Sequence, residues 1–118
     1  VAEPEGVDTM VTDYCVVLIT TPDEELAKRI GDLLIARQLG ACVQAMPIDS
    51  TYRWSSEIHH EDEVLLLVKT RTALLDELIE HVREAHIYDA PEIIALPIIG
   101  GSADYLNWVD DQTRPVYR

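Results

Sequence analysis

His59 and His60 stand side by side in this 118-residue chain, flanked by Glu57, Glu61 and Asp62. Imidazole and carboxylate side chains at that spacing are ligands for a borderline divalent cation. A solvated hairpin tip explains the same residues more simply and needs no ligand. Cys15 and Cys42 are isolated. Neither belongs to a C-x-x-C pair, so the chain encodes no zinc ribbon and no iron–sulfur cluster. Both read as free thiols in a reducing compartment, and we expect a cytoplasmic protein. Tyr52, Trp54, Tyr88 and Trp108 supply aromatic surface for a cleft between subunits or, more ordinarily, for a core. Arg71 and Asn107 invite an acylphosphatase-like reading, but no glycine-rich anion loop precedes a helix. Nucleophile motifs, phosphate loops and dinucleotide fingerprints are also missing, so catalysis is not expected.

The formal net charge is −13, from 22 acidic and 9 basic residues. Such a chain repels phosphate backbones and anionic membrane surfaces, which argues against nucleic-acid and membrane partners. Cations are the partners it favours. No run of about twenty apolar residues reads as a membrane span. The segment Val1-Ala2-Glu3-Pro4-Glu5 lacks a basic region followed by an apolar one, so it does not read as a signal peptide. With 47% hydrophobic residues the chain is globular. One domain over residues 13–118 is expected, behind a flexible tail over residues 1–12.

The elements that would position these side chains follow from periodicity. Tyr14 to Thr20 is a short β-branched apolar run, hence a buried strand. Thr21, Pro22 and Glu24 form a capping box, with threonine as the cap. The helix behind it shows Leu26, Ala27, Ile30, Leu33 and Leu34 on one face, and Gly40 closes it as a left-handed cap. Ala41 to Trp54 is extended, with Pro47 marking a bulge or an edge. Ser55 to His60 reads as a polar turn and Glu63 to Thr70 as the third strand. A second helix begins near Thr70 or Thr72, with the stripe Leu75, Leu78, Ile79, Val82 and Ala85. Glu92 to Ile99 is the fourth strand, and Ser102 to Asp111 a short C-terminal helix. The order β-α-β-β-α-β plus a tail helix predicts an α+β, ferredoxin-like sandwich.

In that sandwich the helices cover one sheet face, and the other face should turn polar. It does not. Both parities are apolar: Cys15, Val17 and Ile19 against Val16 and Leu18, Val64, Leu66 and Val68 against Leu65 and Leu67, and Ile94, Leu96 and Ile98 against Ile93, Ala95 and Ile99. Roughly seven or eight large side chains lack a partner within one copy, each worth about 1.5–3 kcal/mol when buried. Burial against further copies of the chain is the economical answer. The second strand is also more than twice the usual five or six residues, and its excess would protrude with open edges.

Five stretches carry a family resemblance: Gly40-Ala41-Cys42-Val43, Ser50-Thr51-Tyr52-Arg53-Trp54, Asp62-Glu63-Val64-Leu65-Leu66 with Lys69-Thr70, the block from His86 to Pro97, and Asp104-Tyr105-Leu106-Asn107-Trp108. Together, over about residues 14–111, they resemble the CutA divalent-cation-tolerance family. The resemblance implies a ferredoxin-like subunit, a tight homotrimer similar to the PII signalling proteins, and a metal-response role tied to copper and other divalent cations. It implies His86 and Glu92 as metal ligands, a pair suited to zinc or Cu(II) rather than Cu(I). His86 also fits an ordinary helix end, four residues after Val82. Two positions depart from the family pattern: Ile87 replaces a proline, and Ile19 stands where some members carry a copper-binding cysteine. An enzyme with a site in the subunit clefts and a purely structural trimeric module are the alternatives.

Overall fold

Alternation along one strand organises the fold. In the computed structural model, which describes residues 11–115, Cys15, Val17 and Ile19 are buried while Val16 and Leu18 between them are half-buried. They belong to β1 (Tyr14–Thr21). The chain continues through α1 (Glu24–Ala36), β2 (Cys42–Trp54), β3 (Glu57–Arg71), a single 3-10 turn (Thr72–Leu74), α2 (Leu75–Ala85), β4 (Ile93–Pro97) and α3 (Ala103–Gln112). The sheet order is β2-β3-β1-β4, with every neighbouring pair antiparallel. This is the ferredoxin-like α+β arrangement expected from the element order. Val17, Ile19, Leu66 and Val68 from the sheet meet Ile30 and Leu34 of α1 and Leu78 and Val82 of α2 in one core. No helix among the described residues is long and apolar enough to cross a membrane. The tail expected over residues 1–12 lies, except for its last two residues, outside the described residues.

Several local features differ from the sequence reading. The cap of α1 is Asp23, whose Oδ1 accepts the Leu26 amide at 2.8 Å, and not Thr21. Pro22 holds the residue before it extended, which keeps Thr21 in β1. Its hydroxyl donates to the Asp23 carbonyl at 3.1 Å. The left-handed residue after α1 is Gln38 (φ 56°), not Gly40. The amides of Leu39 and Gly40 return to the Leu34 carbonyl at 2.9 and 3.2 Å. Gly40 is needed for close approach, since a Cβ there would lie 2.7 Å from Val68 Cγ1.

Pro47 sits on an edge strand without a bulge, because the β2–β3 register runs unbroken from Cys42↔Lys69 to Trp54↔Glu57. The turn is only Ser55-Ser56, both with positive φ (53° and 66°), as a two-residue type I′ hairpin requires. Glu57 to His60 are therefore strand, not turn. The last β1–β3 pair is Thr21↔Val64. Beyond it the β2–β3 ribbon overhangs the sheet from Ile48↔Glu63 to Trp54↔Glu57, roughly 20 Å at about 3.4 Å per residue.

The second sheet face is partly covered by α3. Tyr14 donates to Asp110 Oδ2 at 2.5 Å, and Arg71 Nε donates to Thr113 Oγ1 at 2.9 Å. Val109 and Thr113 are buried beneath these links. Among the described residues the cover ends there. Met46, Ile94 and Leu96 on the same face remain 47%, 51% and 49% exposed, beside half-buried Leu18 and Leu65.

Candidate functional site

The overhanging ribbon and the loop from residue 86 to 92, which joins α2 to β4, enclose a cleft of about 580 Å³. His86 starts the loop as the C-cap of α2, its amide donating to the Val82 carbonyl at 2.9 Å. Both ring nitrogens are engaged. Nε2 lies 2.7 Å from the Thr20 carbonyl and can only donate to it. Nδ1 accepts the Tyr88 amide at 3.1 Å. These partners fix a neutral ring protonated on Nε2 and fasten the loop to β1.

Two residues further on, the Tyr88 ring packs 4.7 Å from His86. Its hydroxyl donates to Glu63 Oε2 at 2.9 Å. Glu63, only 9% exposed, stands at the base of the overhang. Burial, and then the hydrogen bond to this carboxylate, push the Tyr88 phenol well above its ordinary value of 10.0. Tyr52 and Trp54 of β2 line the cleft opposite the loop. Trp108 does not join them; it packs against Tyr105 on α3, 5.6 Å between ring centres.

Of the residues implied as metal ligands, Glu92 lines the cleft with its side chain exposed, while His86 forms the loop's anchor. A cation at His86 would have to displace the Tyr88 amide from Nδ1. Ile19 is fully buried in the core and carries no donor atom. Among the described residues no three His, Cys, Asp or Glu side chains come together to hold a metal ion. The residues present thus fit a divalent cation only loosely, through Glu92 and water, with His86 available at the cost of a hydrogen bond.

His59 and His60 do not converge. As neighbours on a strand they face opposite sides of the ribbon. His59 stacks on Tyr52 (5.4 Å, 15°), and its Nε2 lies 3.3 Å from the Trp54 carbonyl. His60 Nδ1 lies 3.1 Å from Thr51 Oγ1. Asp49 pairs directly with Asp62, and this neighbouring carboxyl raises Asp62 from its ordinary value. Arg71 is an anchor for α3, with Asp110 3.8 Å from its Nε, and not an anion site. The Glu63–Tyr88 link was not foreseen. Its one sequence signal is a carboxylate directly before Leu65 and Leu67 on the same parity.

A ferredoxin-like subunit with an overhanging hairpin, a loop-walled anionic cleft and an open apolar sheet face is the class these features define. Residues 15–112 match the family model described as CutA1 divalent ion tolerance protein, and the chain belongs to that family. It is 45% identical over 114 residues to "Protein CutA 1, chloroplastic" of Oryza sativa, a match covering 96% of this chain and 64% of the rice protein. It is 46% identical over 99 residues to the "Divalent-cation tolerance protein CutA" of Thermus thermophilus, covering 83% of this chain and 96% of that protein. The crystal structure of CutA1 from Oryza sativa superposes with a TM-score of 0.86 at 45% identity, over 88% of this chain and 96% of that one. The chain therefore spans slightly less than two thirds of the full rice protein.

Proposed function

We propose that the chain works as a homotrimeric divalent-cation tolerance protein that binds copper or zinc weakly and serves a metal-response or signalling role without catalysis. The observation that carries this reading is the sheet face beyond α3, where, among the described residues, Ile94 and Leu96 are about half exposed and Leu18 and Leu65 only partly covered. Side chains of this size gain about 1.5–3 kcal/mol each on burial. A closed ring of three sheets facing one axis, similar to the PII proteins, would bury them all and leave no open face. The metal part rests on the family and on the anionic cleft with Glu92. Because His86 must give up the Tyr88 amide to coordinate, we infer affinity no better than micromolar. Nothing in the site calls for an organellar setting, and we propose the cytoplasm, although the rice relative is named chloroplastic.

Native mass spectrometry with and without zinc tests this reading. A three-copy species that takes up zinc reversibly is expected. A single-copy species, or a three-copy species that takes up no zinc at millimolar concentration, would overturn the corresponding half.

A further inference from the structure

The cleft contains a buried carboxyl side chain that no basic side chain pairs with among the described residues. Glu63 is 9% exposed, accepts a hydrogen bond from Tyr88, and forms no ion pair among the described residues. Asp89 and Glu92 also line the cleft, and among the described residues no lysine, arginine or histidine does. Burying a carboxylate without a counter-charge is costly, so the site favours a positively charged occupant.

The walls indicate which kind of cation. A bare metal ion needs four or more donors within roughly 2.0–2.6 Å. Here the three carboxylates do not converge on one point, and no three metal-ligating side chains group together among the described residues. The volume of about 580 Å³ is in the range that small organic ligands fill. Tyr52, Trp54 and Tyr88 line the same cleft as the carboxylates, and Trp54 is 55% exposed. Aromatic rings attract ammonium groups and also pack against methylene chains. Acids that do not group together, in a cleft that also presents aromatic surface, match several ammonium groups spaced along an alkyl chain.

We propose that this cleft binds an aliphatic polyamine, with one ammonium group at Glu63, others toward Glu92 and Asp89, and the methylene chain against Trp54 and Tyr52. The site goes beyond the metal reading and does not rest on it.

Spermidine titrated calorimetrically into the assembled, metal-free protein is the test, with Trp54 fluorescence as a second readout. Saturable binding below about 1 mM is expected. Glu63→Gln should weaken it about tenfold and Trp54→Ala about fivefold. Glu80→Gln removes the same charge from the exposed side of α2 and should leave binding unchanged. Absence of saturable binding would overturn the proposal. So would an equal loss in Glu80→Gln, which would mean diffuse attraction to an acidic protein. Trp54 is exposed, so Trp54→Ala keeps the test decisive even if Glu63→Gln fails to fold. Zinc titration of the same variants separates the two readings, since a polyamine site can fail while zinc binding persists, and the reverse.

Discussion

The Tyr88 hydroxyl donates to the Glu63 carboxylate across 2.9 Å, tying the loop after α2 to the base of the overhanging ribbon. Both cleft walls depend on it. Because the folded protein holds the phenol protonated, the link should be fully present below the ordinary tyrosine value of 10.0 and lost as pH rises through the higher folded value. Tyr88→Phe should therefore cost about 1–2 kcal/mol at neutral pH. Denaturant melts of both proteins check this. The gap between them should narrow as pH is raised above 10, and a gap that widens there would contradict the assignment.

Gly40→Ala should destabilise the fold by about 1–3 kcal/mol, because its new methyl would lie 2.7 Å from Val68 Cγ1 in a fully packed core. Gly100→Ala, with nothing within 4 Å of the added carbon, is the matched control and should stay within about 0.5 kcal/mol of wild type. Thermal unfolding of the two variants checks the difference.

For metal, calorimetry of zinc into wild type should give affinity no better than micromolar. Glu92→Gln should weaken binding several-fold. His86→Ala should weaken it too, and should also destabilise the loop, because the anchors to the Thr20 carbonyl and the Tyr88 amide disappear together. Unchanged zinc affinity in both variants would place the cation elsewhere.

The sandwich was legible because two right-handed crossovers in the order β-α-β-β-α-β prescribe it. The open second face was legible from apolar residues on both parities, an excess over what the helices can cover. The hairpin was not. Ser55-Ser56 carries none of the glycine or asparagine that normally marks a type I′ turn, so Glu57 to His60 read as loop and the two histidines as a cluster. The cap shifted from Thr21 to Asp23 because Pro22 constrains the residue before it, a local effect that outweighed the motif. The engagement of His86 was invisible, since its partner at Thr20 lies 66 residues away along the chain. Glu63 and Tyr88, 25 residues apart, are joined only once the ribbon overhangs the loop.

Light scattering on the purified protein at micromolar concentration, for wild type beside Leu96→Asp, tests self-assembly through the open sheet face most directly. Leu96 is 49% exposed in the single copy, so aspartate there should spare the subunit fold and act on assembly. The expected wild-type mass is roughly 40 kDa, three copies of the 13.3 kDa chain, with Leu96→Asp reduced to a folded single copy. A stable wild-type monomer, or a Leu96→Asp protein that still forms the full trimer, would contradict assembly through this face.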